Sequence, residues 1–238
     1  MESTDKPVFK HKPKNGTIET ARRVYTEVPV GLEKIYQLRA ADYGKGFRQA
    51  TFGESLDLVH ASYLNQGNVG ADDVVGAIMD YFLSGNTSIL YTPELVIVQD
   101  MPEVRDGRIV MSEKDLTSKL SRNAMKGVRF SDDGTIRSLP YGFETGLHNQ
   151  DKMRNNPFPI ALTGDLEAGQ KLAQIQQKIG DMQENYDSTN SENAVVSSLG
   201  RGTNNVIRVP GLWANEIGLL IGGNWGDLSE RISFGVRQ

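Results

Sequence analysis

The apolar positions change period partway along the chain. Over residues 54–64, ESLDLVHASYL, Leu56, Val59, Tyr63 and Leu64 recur at helical spacing. Over 71–85, ADDVVGAIMDYFLSG, Val74, Val75, Ile78, Met79 and Phe82 form a second helical face, with Asp72 and Asp73 in the first turn and Gly85 as a stop. Short helices are also expected over 17–25, capped by Thr17, and over 31–39. From residue 88 the period falls to two. SILYT (88–92) and ELVIVQ (94–99) read as strands on either side of Pro93. RIVM (108–111) follows the turn pair Asp106-Gly107, SEKDLTSKL (112–120) starts a short helix at Ser112, and residues 127–139 form a hairpin. PIAL (159–162) reads as a strand. A long amphipathic helix follows residue 164, with Leu172, Ile175, Ile179, Met182 and Tyr186 on one stripe.

The pattern predicts an α+β fold, with an antiparallel-rich mixed sheet in the middle of the chain and helices before and after it. The expected organisation is a flexible basic tail over 1–16 and a main domain over 17–186. A Ser-, Asn- and Gly-rich loop or linker over 187–205 follows, then a glycine-rich β segment over 206–238 that carries both tryptophans and packs on the main domain.

Composition narrows the chemistry. The 238 residues contain no cysteine, which excludes disulfides and thiolate metal sites, and three histidines that are too scattered for a histidine-rich site. No metal ligands are singled out, although 30 acidic residues leave a carboxylate site for magnesium or calcium open, and the cofactor is unknown. No apolar run approaches 18 residues and no secretory leader opens the chain, so a cytoplasmic protein without membrane spans is expected. Residues 1–50 hold ten Lys and Arg against six Asp and Glu, although the whole chain carries a net charge of −4. The basic start serves either as a nucleic-acid arm or as a segment that docks on an acidic body.

Two hairpins carry the candidate chemistry. In VRFSDDGTIR (128–137), a three-residue loop with Gly134 in the left-handed position pairs Phe130 with Ile136 on one apolar face. The same register places Arg129 opposite Arg137. In VRDGRI, a two-residue Asp106-Gly107 loop places Arg105 opposite Arg108. Like charges directly opposite are unfavourable; if both hairpins belong to one sheet, up to four guanidiniums share a surface and suggest an anion, because arginine grips carboxylate and phosphate through a rigid fork of donors. Lys45, between two glycines in YGKGF, is a further candidate. Solvated arginines paired with surface acids explain the same residues. In YGFETGLH, Glu144 and His148 form a weak candidate base–orienter pair, against which Gly142 and Gly146 argue. The leading expectation is a protein that binds a phosphate- or carboxylate-bearing small molecule. The alternatives are a nucleic-acid-associated protein and a structural or assembly protein, such as a viral component, in which the chain would be an oligomer.

Overall fold

A computed structural model describes residues 18–19, 23–25, 30–67, 70–182, 194–215, 218–226 and 230–238. The expected basic tail over 1–16 and the stretch 187–193 lie outside the described residues. The chain opens with strands β1 (Ile18–Glu19), β2 (Val24–Tyr25) and β3 (Val30–Lys34), helix α1 (Ile35–Ala40) and strand β4 (Phe47–Gln49). Helices α2 (Phe52–Leu64) and α3 (Ala71–Asp80) lead into strands β5 (Thr87–Tyr91) and β6 (Leu95–Asp100). Next come β7 (Glu103–Arg105), β8 (Arg108–Val110), helix α4 (Glu113–Ser118), β9 (Leu120–Met125), β10 (Val128–Ser131) and β11 (Ile136–Pro140). Strand β12 (Gly146–His148) precedes helices α5 (Gln150–Asn155), α6 (Pro157–Thr163) and α7 (Ala168–Met182). Five strands close the chain: β13 (Ala194–Ser197), β14 (Val206–Asn215), β15 (Gly218–Trp225), β16 (Glu230–Ser233) and β17 (Gly235–Arg237).

The fold is α+β. Its centre is a nine-stranded sheet of order β12-β13-β15-β14-β5-β6-β11-β10-β9, antiparallel throughout except for the parallel pair β13–β15. Smaller sheets form from β1-β2-β17-β4, β16-β3 and β7-β8. Among the described residues no helix is long and apolar enough to cross a membrane.

Several local expectations change. Residues 17–25, expected as a helix, contribute the antiparallel pair β1–β2, and 31–39 divide between β3 and α1. PIAL lies in helix α6, because Asn156 caps that helix by accepting from Phe158 N and Pro157 sits in its first turn. Within the stretch read as a linker, Ala194–Ser197 form β13 and pair with β15. The C-terminal strands β14 and β15 are central members of the main sheet rather than an addition to it.

At its central strands both faces of the sheet are buried. Ile89 and Tyr91 of β5 and Val96 and Val98 of β6 join the main core with helices α2, α3, α6 and α7. Their neighbours Leu90 and Ile97 point the other way, into a smaller core with Leu116, Leu120 and Ile136. Alternation along a strand thus separates two apolar sets, not an apolar from a wet one. Helix α4, capped by Ser112 as expected, supplies Leu116 as part of the cover over this second face.

The start of α2 gathers buried charge. Thr51 and Glu54 form a capping box, with Glu54 N donating to Thr51 Oγ1 at 3.2 Å and Thr51 N donating to Glu54 Oε2 at 2.8 Å. Arg48 donates to both carboxylate oxygens at 2.8 Å, and Arg23 lies 2.6 Å from Oε1. Burial alone would raise the Glu54 pKa, but the bonds from Arg48 and Thr51 and the nearby Arg23 outweigh it and hold the carboxyl below its ordinary value.

Candidate functional site

The hairpin at residues 128–140 differs from its sequence expectation by one residue of register. Phe130 pairs with Arg137, and Arg129 pairs with Ser138. The apolar pattern favours a shared face for Phe130 and Ile136 only if one face of the sheet is apolar. Here Phe130 belongs to the main core and Ile136 to the second one. A one-residue shift moves every side chain to the opposite face, so Arg129 and Arg137 lie on opposite sides of the ribbon. Gly134 does take the left-handed conformation, with φ 72°. The turn is secured by Asp133, whose Oδ1 accepts from Ser131 Oγ at 2.6 Å, Thr135 Oγ1 at 2.8 Å and Thr135 N at 3.0 Å. These bonds, led by that from Ser131, pull its carboxyl down to about 2.

Each of the two arginines has its own structural work. Arg137 is 1% exposed and uses all five donors. Nη1 and Nη2 bind the Asp100 carboxylate, Nε donates to Ala161 O at 2.8 Å, and the remaining bonds reach Leu162 O at 3.3 Å and Gly134 O at 3.0 Å. It therefore caps the C-terminal carbonyls of α6 while holding β6 and the hairpin turn. Arg129 pairs with Ala124 of the edge strand β9, and the ladder shifts register before Ser131 meets Leu120. Arg129 Nε donates to Ser121 O at 2.8 Å and occupies a carbonyl that the irregular ladder leaves over.

The second hairpin follows its expected register. Asp106 (φ 51°) and Gly107 (φ 72°) both take left-handed conformations, as a type I′ turn requires, and Arg105 stands opposite Arg108. Arg105 Nη2 lies 2.7 Å from Glu103 Oε1, a surface pair with both side chains more than half exposed. Among the described residues Arg108 makes neither hydrogen bond nor ion pair. The two arginines and Asp106 line a shallow hollow of about 600 Å³ with Val110, Met111 and Ile207. Lys45 is exposed in the turn between Gly44 (φ 91°) and Gly46 (φ 81°), ahead of β4, and does not line this hollow. The four expected arginines thus reduce to one pair.

Glu144 and His148 are not joined through their side chains. His148 is 1% exposed. Asn156 decides its state: Asn156 Oδ1 accepts from Phe158 N at 2.9 Å, so its amide nitrogen is the group facing His148 Nε2 at 2.9 Å. Nε2 must therefore accept, which leaves the ring proton on Nδ1, 2.9 Å from Gly146 O. The same amide donates to Glu144 O at 2.8 Å. The Glu144 carboxylate instead meets Lys152 Nζ at 3.2 Å in solvent. His148 is a buried ring that secures the β12–α5 corner. Asn156→Ala removes a helix cap and leaves His148 Nε2 and Glu144 O without a donor. It is expected to lower stability by about 2–4 kcal/mol, read from urea unfolding, with Asn156→Asp recovering only the cap.

A second depression was not expected from the sequence. About 640 Å³ in volume, it lies between the Lys126-Gly127 turn, residues 139–144 and helix α5. Its signal was present in the aromatic pair of PYGFE, which surrounds Gly142, but only the tertiary structure brings α5 against it. Among the described residues no group of three or more His, Asp and Glu side chains is placed to hold a metal ion. Comparison of the chain with protein-family models, with curated proteins and with solved structures finds no match.

Proposed function

We propose that this protein binds a phosphate- or carboxylate-bearing small molecule in the hollow beside the β7–β8 hairpin, through Arg105 and Arg108. The observation that carries this reading is a like-charge pair fixed directly opposite on a two-residue turn, with the Arg108 guanidinium unpaired above apolar walls. Such a pair is unfavourable by about 0.2–1 kcal/mol unless an anion lies between its members. The arginines supply forked donors for the charged group, and Val110, Met111 and Ile207 supply an apolar surface for the rest of the ligand. Asp106, which also lines the hollow, works against highly charged anions. A cytoplasmic setting fits a sequence without cysteine.

Calorimetric titration with inorganic phosphate, pyrophosphate and citrate tests the proposal. Saturable binding is expected for at least one of them, weakened about tenfold or more by Arg105→Ala with Arg108→Ala, since a charge-assisted hydrogen bond contributes about 1.5–3 kcal/mol. Absence of saturation, or equal affinity in the double variant, would remove the proposal. A second reading, as an assembly component, rests on Met101, Val104 and Val110, which are 38–45% exposed on and beside the same hairpin. Mass that grows with concentration in light scattering, and is lost on Val104→Asp with Val110→Asp, would be its signature.

A further inference from the structure

We infer that the cleft formed by the Lys126-Gly127 turn, residues 139–144 and helix α5 is a binding site for a neutral sugar ring, independent of the hairpin hollow. Three features carry this inference. The first is a pair of fixed, half-buried aromatic rings. Phe143 stacks on the buried Phe158 with centroids 4.6 Å apart and planes at 3°, and Phe143 lines the cleft. Tyr141 lines it too, with its hydroxyl donating to Thr92 O at 2.8 Å. Neither ring can turn away without breaking these contacts, so the platform exists before any ligand arrives. Gly142, with φ 112°, supplies the sharp bend between the two rings.

The second feature is the rim. Glu144 faces Lys152 at 3.2 Å, and Asp151 faces Arg154 at 3.0 Å. Arg154 lies outside the lining, so the lining charges are Glu144, Asp151 and Lys152; each carboxylate already has a cationic partner, and the single negative balance does not favour an anion. The rim does present closely spaced acceptors and donors, with Asn155 beside them. The third feature is the support beneath. Asn156 donates to Glu144 O, and its amide is itself fixed by His148 and the α6 cap, so the Glu144 end of the wall is rigid.

A pyranose has apolar C–H faces that lie on an aromatic ring and a girdle of hydroxyls that both donate and accept. Floor and rim match these two surfaces together. The volume falls within the roughly 300–1,000 Å³ of small-ligand sites. A nucleobase could use the aromatic floor, but it would leave the rim groups Glu144, Asp151 and Lys152 largely unused.

The test is calorimetric titration of the full chain with methyl glucoside, methyl galactoside, methyl mannoside and N-acetylglucosamine, with adenosine as the competing probe. Saturable binding of at least one sugar at millimolar concentration is expected, with weaker binding of adenosine. Phe143→Leu should weaken it about tenfold, as expected for loss of an aromatic contact. Glu144→Gln with Lys152→Met, both exposed positions, should weaken it while leaving the thermal midpoint unchanged. Arg105→Ala with Arg108→Ala should leave sugar binding intact, which separates this site from the hairpin hollow. No saturation by any sugar, tighter binding of adenosine, or affinity unchanged in the Glu144/Lys152 variant would overturn the inference.

Discussion

Arg137→Ala is expected to destabilise the protein by about 3–5 kcal/mol, the range for removing one partner of a buried ion pair. The loss has several sources. Asp100, 11% exposed, loses its guanidinium partner and keeps Thr87 Oγ1 at 2.5 Å as its remaining side-chain partner among the described residues. Ala161 O and Leu162 O lose the donor that satisfies the end of α6. The Gly134 carbonyl at the hairpin turn is freed as well. Denaturant unfolding of Arg137→Ala, Asp100→Ala and the double variant separates these terms. If the ion pair dominates, the double variant will be clearly more stable than the sum of the single losses, with a coupling of about 1–3 kcal/mol. A loss below about 1 kcal/mol for Arg137→Ala would show that a purely structural account of this residue is wrong. The contrast with Arg105 and Arg108 is direct: their removal should change ligand affinity while leaving stability almost unmoved, as is usual for exposed positions.

The second large effect is expected at Gly85. A Cβ there would lie 2.3 Å from Phe52 N and 2.4 Å from Thr51 C, both backbone atoms at the start of α2. The two segments are bonded on either side of this contact, Asn86 N to Ala50 O at 2.7 Å and Phe52 N to Thr87 Oγ1 at 2.9 Å. Neither backbone can withdraw without giving up those bonds and disturbing the Thr51–Glu54 capping box. Gly85→Ala should therefore cost about 3 kcal/mol or more, at or above the upper end for overpacking. Gly134→Ala is the control. Its site has open space around the missing Cβ but a left-handed φ of 72°, so only conformational strain of about 1–2 kcal/mol is expected. Equal losses at the two positions, measured by urea unfolding, would contradict the close-approach argument. The sequence marks Gly85 as a helix stop. The helix in fact ends at Asp80, and the glycine is required by a neighbour 33 positions earlier in the chain.

Features governed by residues near one another were legible in the sequence. Helices α2, α3 and α7 follow from apolar spacing and α4 from its Ser112 cap, because an α-helix closes its hydrogen bonds within four residues. The β7–β8 register follows from Asp106-Gly107 alone, since a two-residue turn leaves one pairing. The α+β class follows from the change of period near residue 88. What lay beyond the sequence is whatever depends on what covers a surface. The β10–β11 register turned on whether the outer face of the sheet is wet or buried, and helix α4 with its second core settled that by claiming Ile136. The same choice sent Arg137 inward to Asp100 and the end of α6, and left Arg129 to fill a break in an edge strand. Residues 194–197 and the glycine-rich C-terminal strands gave weak local signals because their partners are strands far away in the chain. The aromatic cleft needed helix α5 to fold back on the Tyr141–Glu144 loop. Local hydrogen bonding and turn chemistry are written in neighbouring residues; burial is a property of the assembled chain, and it decided which arginines stay at the surface.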